Sequence, residues 1–170
     1  VLLDGQRPGP EQEDLRSFEW YYLWRLSLRG LQATLAPPSQ PARTAVFARD
    51  GRSVLSGGQD GRIREIDVAT GNVRSEWQAH PGGVFTLMLS QDGGTLASSG
   101  SDGYVRVWNR ATNSERFAAR VRVDAPAAVS PDGNLIAFAE GGPILVHDTI
   151  TGQELAKLSG HTSAVNELAF

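Results

Sequence analysis

Residues 98–110, SSGSDGYVRVWNR, join the turn Asp102-Gly103 to an alternating apolar run that ends in Trp108-Asn109. Ser98 and Asp102 lie inside the stretch and His80 lies upstream of it. Serine, histidine and aspartate invite a catalytic reading. The same three side chains also serve to satisfy one another when a sheet buries them. The surrounding chain decides between the two, because it repeats the pattern.

The segment 47–72, FARDGRSVLSGGQDGRIREIDVATGN, aligns with 89–114, LSQDGGTLASSGSDGYVRVWNRATNS, at an offset of 42 residues. The same frame fits 129–153, VSPDGNLIAFAEGGPILVHDTITGQ, at a further 40, falling to 39 after one deletion. Asp50-Gly51, Asp92-Gly93 and Asp132-Gly133 mark the first turn of each unit, and Asp67, Asn109 and Asp148 end its third strand. HPGGVFTLML (80–89) returns as HTSAVNELAF (161–170). Periods of about 40 to 45 residues with four short strands per unit are those of propeller blades. In the middle unit the spacing predicts strands over Val84–Leu89, Thr95–Ser98, Tyr104–Trp108 and about Arg116–Val121. Short, turn-rich connections pair such strands antiparallel. YVRVW (104–108) carries little polarity on either face, as a sheet packed on both sides requires.

Composition agrees with one all-β domain. The chain has 170 residues, 40% of them apolar and 21% charged, with 19 glycines and 9 prolines scattered as punctuation. Fifteen of the sixteen cationic side chains are arginine, yet the net charge of −3 offers no electrostatic case for nucleic acid. Arg62, Arg64, Arg106, Arg110, Arg116, Arg120 and Arg122 are read as solvated or ion-paired strand residues among acidic neighbours. The absence of cysteine excludes disulfides, thiolate metal sites and cysteine nucleophiles. No run of 18 apolar residues is present, and no basic-then-apolar signal pattern opens the chain. Because the chain opens on Val1 rather than methionine, we expect a longer reading frame around it, and the missing signal carries no information.

Ahead of the repeats, GPEQEDLRSFEWYYLWRLSLRG (9–30) predicts one amphipathic helix. Pro10 suits its first turn, Glu11, Glu13 and Asp14 its positive end, and Arg25, Arg29 and Gly30 its close. Leu15, Phe18, Tyr22 and Leu26 recur at helical spacing. This broad aromatic face packs on the domain that follows; a membrane-surface or dimerising role is the alternative, and the helix lacks the basic polar face of a membrane binder. APPSQPAR (36–43) reads as a loop.

SPDG (130–133), LASSGSDGYVRVWN (96–109) and LSGHTSAV (158–165) together resemble the WD-repeat β-propellers, whose blades run from a Gly-His pair to a Trp-Asp pair. The resemblance covers residues 31–170 and departs from the pattern blade by blade. The units end in Ile66-Asp67, Trp108-Asn109 and His147-Asp148, and only Gly160-His161 keeps the Gly-His pair, Ala79-His80 standing at the other site. LLDGQRPGPEQEDLRSFEWYYLWR (2–25) resembles the linker before WD repeats in bacterial serine/threonine protein kinases, although the chain carries no Gly-rich phosphate loop, catalytic-loop aspartate motif or DFG.

The expectation is therefore a helical linker over 1–30 followed by blades over 31–170. This is a partial WD-repeat propeller of about three four-stranded antiparallel blades plus the start of a fourth, short of the four to eight that close a ring. The resemblance maps a structural tetrad onto His80, Ser98, Asp102 and Trp108. Unit one keeps Ser56 and Asp60 but has Ile66 at the tryptophan position and no histidine near residue 38. Unit three has Phe138 and His147 in place of serine and tryptophan, so apolar packing must replace its network. A hydrolytic triad would need an exposed nucleophile and oxyanion donors, and no G-x-S-x-G elbow surrounds Ser98. His147 and His161 are too few and too separated for a metal site, and no D-x-D-x-D-G calcium loop is present. No cofactor is expected. The implied function is a protein–protein interaction scaffold, cytoplasmic by default with the extracytoplasmic side left open, and with an upstream kinase domain as one context. Candidate partner-binding residues at the loop end of the blades are Tyr104, Gln59, Arg62, Ser101, Glu140, Pro81 and Thr162, with Tyr104 foremost as an aromatic with a polar tip. The rival reading is an enzyme, a propeller hydrolase or the kinase, with catalytic residues outside this chain.

Overall fold

The computed structural model describes residues 41–123 and 125–170; the helical linker expected over 1–30, with its helix over 9–30, and most of the loop after it lie outside them. Among the described residues, twelve strands form three four-stranded antiparallel sheets. The first holds β1 (Ala42–Phe47), β2 (Ser53–Gly58), β3 (Arg62–Asp67) and β4 (Val73–Gln78). The second holds β5 (Val84–Leu89), β6 (Thr95–Gly100), β7 (Tyr104–Asn109) and β8 (Ser114–Arg120). The third holds β9 (Ala127–Val129), β10 (Leu135–Ala139), β11 (Ile144–Asp148) and β12 (Glu154–Leu158). Each sheet meanders in chain order. The all-β blades are as expected from the repeat.

The turns explain why the strands stop where they do. Asp50, Asp92 and Asp132 each accept a hydrogen bond from the backbone N–H two residues on, at 2.9, 2.9 and 3.1 Å. Asx turns of this kind reverse the chain with local hydrogen bonds alone. Asp67 and Asp148 do the same between third and fourth strands, accepting from the N–H of Thr70 (2.8 Å) and Thr151 (2.7 Å). The Arg74 guanidinium and the Thr70 groups hold the Asp67 carboxyl down to about 2. Gly71 and Gly152 follow in the left-handed region, where the middle blade has Asn113 at φ 52°, a side chain that tolerates this conformation.

A register shift recurs between the third and fourth strands of every sheet, at Glu65/Ile66, Val107/Trp108 and Val146/His147. The extra residue bends the outer strand. It also starts β8 two residues before the expected Arg116.

The apolar core lies between sheets. Leu55, Ile63 and Ala79 of the first meet Val84, Leu87, Leu96 and Trp108 of the second. Ala97, Val105, Val107 and Val121 on the opposite face of the second meet Ala125, Ile136, Phe138 and Leu145 around the third. Glu65 crosses the first interface to Arg110 at 2.9 Å. The middle blade is thus apolar on both faces, which accounts for the reading of YVRVW.

Two expectations are corrected. The loop predicted over 36–43 ends by Pro41, because β1 starts at Ala42, which already pairs with Gly58 of β2. Residues 161–170, read as the opening of a fourth blade, hold no strand. A first strand is held by hydrogen bonds to the second strand of its own sheet, and the described residues supply none here.

Candidate functional site

His80 occupies the connection from β4 to β5. Its backbone N–H, with that of Ala79, donates to the Gly61 carbonyl in the turn of the first blade. Its ring enters the second blade, so one residue ties two sheets. Trp108 Nε1–H donates to Ser98 Oγ at 2.9 Å, and Ser98 Oγ lies 2.9 Å from His80 Nε2. His80 Nδ1 lies 2.8 Å from Asp102 Oδ1. Because the carboxylate only accepts, Nδ1 carries the proton and Nε2 accepts from the serine. The tryptophan, serine, histidine and aspartate form one directed chain with a partner for every polar atom.

The same distances would suit a hydrolytic triad, so burial decides. Ser98 and His80 are 0% exposed. Ser98 sits inside β6, paired with β5 on one side at Leu87 and with β7 on the other at Arg106. Ser98, His80 and Asp102 do not line the clefts that open beside Phe85, Val123 and Asn109. A nucleophile needs a pocket in which a reacting atom lies within reach of both it and its oxyanion donors. Here Trp108, 5% exposed, closes the serine from the first blade and stacks edge-on against Trp77 at 6.1 Å.

Arg106 extends the chain and was missed in the sequence, where it was read as an ordinary strand cation. Its Nη1 donates to Asp102 Oδ2 at 2.7 Å, and its Nε lies 3.2 Å from Glu115. Nη1 also approaches His80 Nδ1 to 2.5 Å. Both are donors in the tautomer that Asp102 and Ser98 require, so the guanidinium acts on the carboxylate and disfavours a charged ring. The first blade repeats the device without a histidine: Arg64 Nη2 meets Asp60 Oδ2 at 2.6 Å, and Arg64 Nε pairs with Glu76. The signal was present as Asp–x–x–x–Arg across the same turn in both units.

In the third blade the aromatic substitution is complete. His147 stacks on Phe138 at 5.0 Å and on Phe117 of the second blade at 5.3 Å, and Nδ1–H donates to the Gly152 carbonyl at 3.0 Å. This is the packing that the sequence required in place of a polar network.

Burial pushes the His80 ring down, against the opposing pull of Asp102, so the ring is neutral. Burial would raise Asp102, but the hydrogen bonds from Arg106 and His80 outweigh it and lower its carboxyl. Between pH 6.5 and the lower folded value of His80, the unfolded chain binds a proton that the folded chain does not. Stability is therefore full above that window and falls on acidification. Asp102 adds a second loss below its ordinary 3.8, as pH drops through its folded value. The melting temperature should decline from about pH 7 to about pH 5, and His80→Gln should flatten that decline. Melting curves across this range check both.

The candidate surface residues occupy the end of the blades above this network. Gln59 and Ser101 stand in the turns β2–β3 and β6–β7, and Pro81 in the connection between them. The structure brings these three together: Ser101 N–H donates to the Gly83 carbonyl at 2.9 Å, and a Cβ on Gly83 would lie 3.5 Å from Gln59 Cα. All three are exposed. Tyr104, at the start of β7, is half-buried with Arg106 5.1 Å over its ring. Arg62 is exposed and pairs with Glu76 of the neighbouring strand β4 at 2.6 Å. Glu140 and Thr162, both exposed, belong to the turn β10–β11 and the segment after β12, and are not gathered with the others.

Of the seven arginines weighed as a basic patch, Arg62, Arg64, Arg106 and Arg110 are in ion pairs and Arg116 donates to Thr95. Among the described residues no group of three metal-ligating side chains occurs, and no helix is long and apolar enough to cross a membrane.

Comparison with known proteins agrees with this geometry. Residues 71–109, from the end of the first blade through β7, match the family "WD domain, G-beta repeat". No curated protein matches the chain. Among solved structures it is similar to the Cps50 (Swd1) β-propeller domain of Myceliophteria thermophila, with a TM-score of 0.69 at 17% identity over 77% of this chain and 47% of that one. It is similar to the RRP9 WD40 repeats, with a TM-score of 0.68 at 18% identity over 81% of this chain and 44% of that one. The computationally designed Ika4 protein is similar at 28% identity and a TM-score of 0.67, over 81% of this chain and 84% of that one. The chain spans about half the length of the two former structures. Residues 71–109 thus carry a WD repeat, set among blades whose fold is that of a WD-repeat propeller.

Proposed function

We propose that the chain is a protein-interaction scaffold whose docking surface is the blade end bearing Gln59, Pro81, Ser101 and Tyr104, with Arg62 at its margin; Glu140 and Thr162 stand apart from it. One observation carries the reading. The buried chain from Trp108 to Asp102 fixes the β4–β5 connection and the β6–β7 turn directly beneath an exposed rim. Rigid support under solvent-facing loops lowers the ordering cost of binding. The serine, being fully buried, supports no competing hydrolytic role.

The finer reading places these blades as the docking or sensing region of a bacterial serine/threonine kinase on the cytoplasmic side. It rests on the resemblance of residues 2–25 to the linker in such kinases.

The test uses the full-length protein and compares co-purifying proteins across two variants. Ser101→Arg/Tyr104→Ala alters the rim, and Ala111→Arg alters the opposite end. The rim variant should lose its partners at an unchanged melting temperature while Ala111→Arg retains them. Equal retention by both overturns the proposal.

A further inference from the structure

The three turns after the first strand of each blade share an Asp-Gly pair but not its surroundings. In the second and third blades a serine two residues earlier clamps the carboxylate: Ser90 Oγ–H donates to Asp92 at 2.5 Å, and Ser130 Oγ–H donates to Asp132 at 2.6 Å. Each serine oxygen also accepts the N–H that opens the next strand, from Thr95 and Leu135 at 2.9 Å. In the first blade that serine is Ala48. Among the described residues, Asp50 is reached only by the Arg52 N–H, and it is exposed. The glycines differ in the same order. A Cβ on Gly133 would meet Thr95 Oγ1 at 2.6 Å, and one on Gly93 would meet Arg49 Cβ at 3.8 Å, whereas nothing lies within 4 Å at Gly51.

The geometry points to Asp50-Gly51 as a site of spontaneous covalent modification, the conversion of aspartate to isoaspartate. The Gly51 amide nitrogen attacks Asp50 Cγ. The new C–N bond closes a succinimide as the carboxyl oxygen leaves in a water molecule, taking the carboxyl and amide protons. Solvent water then opens the ring at either carbonyl, giving aspartate or isoaspartate. The reaction needs a carboxyl group free to rotate over the following nitrogen, and a glycine there offers the least obstruction. The serine clamps at Asp92 and Asp132 forbid that rotation and hold those carboxyls below the ordinary range. Asp60 and Asp102, also followed by glycine, are held by Arg64 and Arg106.

The experiment is ageing of the folded protein at neutral pH and physiological temperature, followed by chymotryptic mapping. Isoaspartate is counted by an isoaspartyl carboxyl methyltransferase with a labelled methyl donor. Label should accumulate in the Asp50 peptide several-fold faster than in the Asp92 peptide, with the Asp132 peptide last. Ala48→Ser should slow it at Asp50, and Ser90→Ala should hasten it at Asp92 in a chain whose first blade is untouched. Equal rates at the three turns, or no response to either substitution, overturns the inference.

Discussion

Replacing His80 by alanine lowers the melting temperature by about 6–12 °C, from a loss of roughly 3 kcal/mol at 2–4 °C per kcal/mol for a domain of this size. The ring is completely buried, and its removal strands one polar group and weakens the satisfaction of a second. Ser98 Oγ–H loses its acceptor, and Asp102 Oδ1 keeps only the Tyr104 N–H at 3.3 Å, while Trp108 still donates to the serine. An unsatisfied buried polar group costs about 1–3 kcal/mol, and the vacated volume adds a cavity term. The His80 backbone bond to Gly61 survives, so the link between blades is weakened rather than cut. Thermal denaturation followed by far-ultraviolet circular dichroism measures the shift; an unchanged midpoint shows that the network is not coupled to folding.

Gly100→Ala should cost more, about 3–5 kcal/mol, through overpacking together with loss of the same network. In an ordinary strand this change would help, since glycine weakens a strand interior by roughly 0.5–1 kcal/mol relative to alanine. At Gly100 the sign reverses because an alanine Cβ would stand inside the His80 imidazole, against Nδ1 and Cγ. The backbone itself raises no objection, because Gly100 is absent from the residues of positive φ. The third blade supplies the internal control. Its equivalent position is Glu140, in a unit with no histidine at the position of His80. Gly100→Ala in a His80→Ala background should therefore cost much less than in the native chain, and equal costs in the two backgrounds would refute the steric account.

Much of this arrangement was legible from spacing alone. The repeat places β5 at Val84–Leu89 and β7 within a residue of its observed end, because Asp-Gly turns and alternating apolar runs are local signals. His80, Ser98, Asp102 and Trp108 come from four separate elements, and it was the likeness to WD repeats that joined them. Arg106 escaped because an arginine in a strand reads the same whether solvated or buried against a carboxylate. Only the fold shows that Asp102 lies four residues back across a turn and Glu115 on the next strand. The β8 boundary depended on a bulge at Val107/Trp108, which no residue type announces. The strand expected within residues 161–170 failed for the opposite reason. Its sequence matches 80–89, but β5 is a strand by virtue of β6, and a local match carries no partner with it.

The central claim is that the serine, histidine and aspartate of this chain fasten a blade and do not perform nucleophilic catalysis. Exposure of the folded, full-length protein to a fluorophosphonate probe, followed by mass spectrometry of the peptide spanning β6, tests it most directly. Ser98, fully buried in β6, should stay unmodified until the protein is unfolded; stoichiometric labelling of Ser98 in the native state would refute the structural role of the network.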